Sequence, residues 1–288
     1  MRKRELNQGR PLFWILPALT WLTLGIGLPL LIILLVSFAR REAYGGIELG
    51  LNFSSYARAF ETLYWAIYLR SLLLASLTTC LCLVLAFPVA YFIALQRSIA
   101  AKHLLLFLVT LPFWTSFLIR TYAWVIILRA EGLLNNLLID WGLLNAPLNL
   151  LYNNFAILIG LVYGELPFMI LPLYTVLEKM EKSLLEASAD LGATPWNTFM
   201  RVLVPLSRHG IWAGAILVFI PSLGAFITPD LLGGAKTMML GNLIQSQFAV
   251  VRDQPFGSAL AFLLTAVVLL LLAVSYKATK RGAEERVF

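Results

Sequence analysis

Charge is what this sequence has least of. Only 13% of its 288 residues are Asp, Glu, Lys or Arg, against 60% apolar, whereas soluble domains carry about a quarter charged residues. The scarcity is organised. Residues 11–39, 71–96, 209–229 and 254–276 contain no charged side chain, and each run is as long as the ~20 residues a helix needs to cross a bilayer core. Residues 104–128 and 152–177 are broken only by Arg120 and Glu165. This pattern excludes a water-soluble globule. The runs are continuous rather than alternating, which excludes a membrane β-barrel as well. An all-α polytopic membrane protein is expected, one permease-like domain over 1–288, with six transmembrane helices near 12–38, 71–96, 104–128, 152–177, 209–229 and 255–276. The basic N-terminus resembles a signal peptide, but its apolar run is too long for one and reads as a retained anchor.

Cysteine and histidine are sparse too, two of each. Cys80 and Cys82 stand two apart, a spacing that points them to different sides of a helix, so neither a disulfide nor a metal pair is expected. His103 and His209 fall at membrane edges without metal-binding HExxH spacing, leaving no metal site. The nearest approach to a nucleotide loop is GGAKT at 233–237, where Ala235 separates Gly234 from Lys236 and the upstream glycine is missing; it reads as a turn. The chain therefore has no means of hydrolysing ATP, and no enzyme activity or cofactor of its own is expected. No period of 20–50 residues recurs, which excludes a repeat array. A stand-alone secondary transporter or channel, the competing class, should show internal repeats and several paired intramembrane charges; only Arg120 and Glu165 are candidates.

The formal net charge of +7 follows from topology, so no nucleic-acid partner is needed. With the N-terminus inside, fourteen of the 22 Lys and Arg residues fall on cytoplasmic segments, seven outside and Arg120 within the membrane. That bias places both termini in the cytoplasm. Longer loops then run over about 40–65, 129–151 and 230–256 outside and 178–208 inside. The loop at 129–151 has apolar residues at helical spacing and predicts a short interfacial helix.

The inside loop carries the most informative stretch, SLLEASADLGATPWNTFMRVLVP, residues 183–205. Ser183 and Glu186 fit a capping box at a helix start. Leu184, Ala187, Ser188 and Leu191 share one small apolar face, while Glu186 and Asp190 share an acidic one. Gly192 suits a left-handed helix end. Thr194 and Pro195 suit the cap and first position of a second helix. Two turns of helix are too short to stand alone, and an acidic face does not suit a membrane surface. A docking surface for a partner protein is expected, against the alternative of an ordinary amphipathic loop.

Glu186, Ala187 and Ser188, then Gly192, then Val202 to Pro205 resemble the EAA loop of ABC-type importer membrane subunits, patterned EAA-x3-G-x9-I-x-L-P. Departures are Ser188 for alanine and Val202 and Val204 for Ile and Leu. The resemblance implies a type I ABC importer permease whose coupling residues, Glu186, Ala187, Ser188, Asp190, Leu191, Gly192 and Ala193, seat in a groove of an ATP-binding subunit. Residues 104–124, 160–174, 229–248 and 252–259 are similar to spermidine/putrescine permease subunits of the PotB type, with Gln254 standing where an aromatic is expected. It further implies two ATPase copies that bind the ATP and Mg²⁺, a second homologous permease, an extracytoplasmic polyamine-binding protein and a bacterial inner-membrane location. Membrane lipid is the remaining partner. The alternative is a related permease for another small organic solute.

An intramembrane acid demands an explanation. Glu165, beside Gly164 and near Pro167 in a helix expected to be locally loosened, either faces a water-filled path or pairs with Arg120 to hold helices in register. Tyr163, Trp114 and Phe113 are candidates to contact a polyamine by cation–π interaction. Asp230, at the outer end of the fifth span, either meets the cation or a binding protein or is a solvated helix-end acid. Arg120 would repel a polycation from the path and is given a structural role.

Overall fold

A computed structural model describes residues 10–42, 46–48, 50–234 and 236–284. Arg2, Lys3, Arg4, Arg286 and Ala235 of the GGAKT turn lie outside them. The described residues form two compact units, Met1–Glu61 with Ile244–Val267, and Thr62–Leu243 with Val268–Phe288.

In the first unit, α1 (Arg10–Leu22) passes through a π-helical turn, Thr23–Gly27, into α2 (Leu28–Ser37). Apolar side chains from Ile15 to Leu35 are largely exposed, the surface a bilayer covers. A two-residue hairpin pairs Arg40–Arg41 antiparallel with Ile47–Glu48, and α3 (Ser54–Ala59) follows. Ser37 and Tyr56 join their hydroxyls at 2.7 Å, while Phe38 packs on Phe53 and Tyr56. Near residue 253 the backbone turns through Arg252, at φ 55°. Asp253 is buried, takes the Arg58 guanidinium at 2.8 Å and accepts the Phe256 amide. The Arg58 cation also lies 4.0 Å over the Phe256 ring.

The second unit is built on three long helices, α4 (Thr62–Leu95), α8 (Asn154–Glu178) and α12 (Arg208–Gly224), which pack on one another. Between the first two lie α5 (Ile99–Thr110), α6 (Phe117–Leu128) and α7 (Leu133–Asp140); α7 is the short helix expected in the 129–151 loop. The core joins Cys82, Ala86, Ala90 and Ile93 of α4 to Met169, Ile170 and Leu173 of α8 and Val218 of α12. Small residues set the spacing. A Cβ on Gly210 would meet the Pro172 carbonyl at 3.0 Å, and one on Gly214 would meet Met169 Sδ at 2.5 Å; close approach of this kind is how membrane helices gain packing energy. Cys82 is buried and Cys80 exposed, both free thiols.

Among the described residues, four helices are long and apolar enough to span a membrane, and up to six if each of two bent pairs is one span. The third span is not the straight helix expected over 104–128. A 3₁₀ turn, Leu111–Trp114, and extended residues at 115 and 116 break it, and the two arms bend by 88°. Pro112 supplies no amide donor, which leaves the Leu108 carbonyl without its helical partner, and the Thr110 and Thr115 hydroxyls donate to the Phe107 and Pro112 carbonyls. The fifth span ends earlier than 229, at Gly224. Beyond it a π-helical turn, Pro229–Gly233, leads to α13 (Leu240–Ala249) and α14 (Gln254–Glu284). Side chains satisfy this irregular backbone: Asn242 donates to the Phe226 carbonyl at 2.8 Å and accepts the Met239 amide at 3.2 Å. Ser71 accepts the Leu240 amide, and Arg70 donates to the Lys236 carbonyl.

Candidate functional site

The elbow between α8 and α12 is assembled from local signals. Glu181 is extended and α9 runs Lys182–Asp190. The expected capping box does not form: the helix starts one residue before Ser183, whose hydroxyl lies 3.5 Å from the Glu181 carboxylate, and no side chain caps the first turn. The other end is as expected. Gly192 has φ 76°, and the amides of Gly192 and Ala193 donate back to the carbonyls of Ala189 and Ser188, a complete Schellman closure. Nothing lies within 4 Å of a Cβ built on Gly192, so conformation rather than space selects glycine there. Thr194 then accepts the Asn197 amide, and Pro195 opens α10 (Pro195–Thr198). A π-helical turn, Phe199–Leu203, and α11 (Val204–Leu206) follow. The chain then bends 70° into α12.

The four residues expected on one apolar face divide. Ser188 turns inward, buried, with its hydroxyl 2.7 Å from that of Thr198 and donating to the Leu185 carbonyl. Ala187, Glu186 and Asp190 are exposed, Leu184 is 43% exposed and Leu191 88%. A hydroxyl bond of this type contributes about 1 kcal/mol. Here it ties α9 to the far side of the glycine turn. Two exposed apolar residues escaped the sequence reading, Trp196 at 64% and Met200 at 44%. A tryptophan directly after the Thr-Pro start was the signal for the first.

The second candidate group lies along α6 and α8. Arg120 lines a cleft of about 380 Å³ with Thr115, Ile119, Ala123, Trp124, Ile127 and Tyr163. The Tyr163 and Trp124 rings meet at 5.7 Å, and Phe113 and Phe168 at 4.9 Å. Trp114 is exposed at 79%, with its neighbour Phe113 turned to α8. The Arg120 guanidinium lies 5.7 Å from the Phe117 ring centre, and Arg120 Nε and Nη1 and Glu165 Oε2 are buried without a hydrogen-bond partner. Around Glu165 the helix is continuous: α8 runs through Pro167 and Pro172. Pro167 and Pro172 leave the Tyr163 and Phe168 carbonyls without their helical donors. Asp230 is exposed on the turn after α12, apart from the fifth helix itself. Among the described residues no cluster of His, Cys, Asp and Glu could hold a metal.

This arrangement has known counterparts. Residues 5–285 match the family described as "Binding-protein-dependent transport system inner membrane component". The chain is 43% identical over 263 residues to the "Spermidine/putrescine transport system permease protein PotB" of Haemophilus influenzae, covering 91% of each chain. It is 42% identical over 260 residues to the protein of that name in Escherichia coli K12, covering 90% of this chain and 94% of the other. The E. coli "Inner membrane ABC transporter permease protein YdcU" is 36% identical over 78% of this chain and 75% of its own. In fold, the chain resembles a subunit of a bacterial alginate ABC transporter solved with its pentasaccharide-bound periplasmic protein, at a TM-score of 0.71 and 16% identity over 93% of both chains. With a membrane of bent apolar helices, a capped elbow and a family match spanning nearly its whole length, the chain belongs to the inner-membrane components of binding-protein-dependent transport systems.

Proposed function

We propose that this chain is the membrane-spanning subunit of an ATP-driven polyamine importer in the bacterial inner membrane, with both termini in the cytoplasm. The observation that carries the cargo is the 42–43% identity, over nine-tenths of the chain, to spermidine/putrescine permeases. The elbow supports the coupling role. Glu186, Ala187, Asp190, Leu191, Gly192 and Ala193 form its outer surface and dock on an ATPase, while Ser188 fixes that surface from within. Two ATPase copies bind ATP and Mg²⁺, a second homologous permease completes the path, and an extracytoplasmic binding protein delivers the polyamine. Within the path, Glu165 supplies negative charge. Tyr163, Phe113 and Trp114 supply aromatic faces, which attract ammonium groups by about 0.5–2 kcal/mol each. Asp230 receives the cation at the outer mouth.

Reconstitution with the partner subunits in liposomes tests this. Spermidine or putrescine uptake driven by internal ATP is the expected result. Uptake of a different organic cation would keep the transporter and replace the cargo. Glu165→Gln should weaken polyamine stimulation of ATP hydrolysis; undiminished stimulation removes Glu165 from the path and returns it to helix register.

A further inference from the structure

The elbow leads covalently into α12, but its side chains reach a different helix. Trp196, mostly exposed, stacks on Phe199 with centroids 5.6 Å apart and planes at 27°. Phe199 in turn meets Phe87 edge-on at 5.0 Å and 78°. Phe87 is 6% exposed, in the core of α4, and the next residue is Pro88, inside that helix. A helix-interior proline removes one backbone hydrogen bond and weakens the rod at that point. Phe199 opens the π-helical turn, and the residue before it, Thr198, is the one held by Ser188. The three rings and the hydroxyl pair thus form one packed chain. It runs from an exposed indole, through the start of an irregular turn, to the proline position of α4, a helix to which the elbow has no covalent link.

Resting on the docking role proposed above, we infer that Trp196 is a second grip for the ATPase subunit and that Phe199 and Phe87 carry its displacement into α4 at Pro88. The elbow then has two outputs. One is the covalent pull on α12; the other is a push on α4, and opening a path between helices requires that they move differently. Ser188 and Thr198 are positioning residues in this scheme. They make a movement of α9 arrive at Phe199 instead of dissipating in the glycine turn. The indole is suited to the outer end because a large, rigid amphipathic ring is the residue type that dominates interface anchors. Exposed tryptophan also occurs at lipid headgroups, and the experiment separates the two.

The experiment uses the full complex in liposomes, with polyamine taken up per ATP hydrolysed as its main readout. A photoreactive phenylalanine analogue replacing Trp196 should cross-link to the ATPase; capture of lipid alone overturns the grip. Phe199→Leu and Phe87→Leu should assemble normally, judged by a Leu191→Cys cross-link to the ATPase, yet lose about three- to tenfold in uptake per ATP, the scale of one aromatic contact. The double variant should be no worse than either single, because both interrupt one chain. Unchanged uptake per ATP, or losses that multiply, overturn the relay. Ser188→Ala should lower the same ratio, and Ser188→Thr, which keeps the hydroxyl, should restore it. Absence of the Leu191→Cys cross-link in an otherwise wild-type complex defeats the docking role itself; its presence alongside full coupling in Phe199→Leu defeats only the relay.

Discussion

Gly192→Leu is the substitution that best isolates docking from folding. The residue sits at φ 76°, where an L-amino acid pays about 1–2 kcal/mol. Its Cβ would meet nothing within 4 Å, so the leucine does not clash inside the chain. The elbow is exposed and contributes Gly192 to no buried cluster, so membrane insertion and the packing of α4, α8 and α12 should be unchanged. The strain is relieved only by undoing the two closing hydrogen bonds from the Gly192 and Ala193 amides, which tilts α9 away from its docking pose. One to two kcal/mol corresponds to about a 5–30-fold weaker ATPase affinity. Titrating purified ATPase onto the permease pair in nanodiscs measures this. Gly192→Asn divides the causes, since asparagine enters the left-handed region at lower cost. If conformation governs, Asn binds better than Leu; if bulk against the partner governs, both are poor. Affinity and uptake within about twofold of wild type in Gly192→Leu, too small for 1 kcal/mol, would refute the argument.

Two further predictions concern the scaffold. Asn242→Ala removes both bonds that hold the backbone at 226 and 239 and should cost about 2–4 kcal/mol, read as a lower melting temperature in detergent; an unshifted melt would show that the segment holds itself. Arg58→Ala leaves the buried Asp253 carboxylate without its 2.8 Å partner and should cost about 2–3 kcal/mol, below the full value for a buried pair because Arg58 is part-exposed. Adding Asp253→Asn should recover part of that loss, and strictly additive losses would exclude a coupled pair.

The amino-acid pattern made the spans legible because bilayer length and missing charge are properties of the chain alone. The glycine turn and the Thr194 cap were legible for the same reason: each is closed by residues a few positions away. What escaped notice depends on tertiary partners. Ser188 read as part of an exposed apolar face, since helical spacing says nothing of a hydroxyl ten residues on that turns it inward. Ser183 fitted a capping box, but Glu181 had already begun the helix. The bend at 111–116 was hidden because a single proline between threonines barely disturbs an apolar profile. Pro167 removes a single donor without ending α8, which runs on to Glu178.

These departures share a physical basis that bears on mechanism. Apolar surroundings forbid unpaired backbone groups, so a helix can be interrupted only where side chains supply replacement bonds. Thr194 at the elbow and Ser71, Arg70 and Asn242 beyond the fifth span supply such bonds, while the third span breaks at Pro112, which has no amide to give. Bonds of this kind are worth about 1 kcal/mol each and exchange more readily than a helical ladder that must open cooperatively. The three interruptions are therefore the natural hinges, and the regular helices between them are the levers. Glu165 lies on a lever, in unbroken α8, opposite an arm that begins at a hinge and carries Arg120. Movement at 111–116 would shift Arg120 relative to Glu165. A disulfide locking α6 to α8 should consequently arrest transport with the Leu191→Cys cross-link to the ATPase intact; uptake surviving such a lock would place the moving element elsewhere.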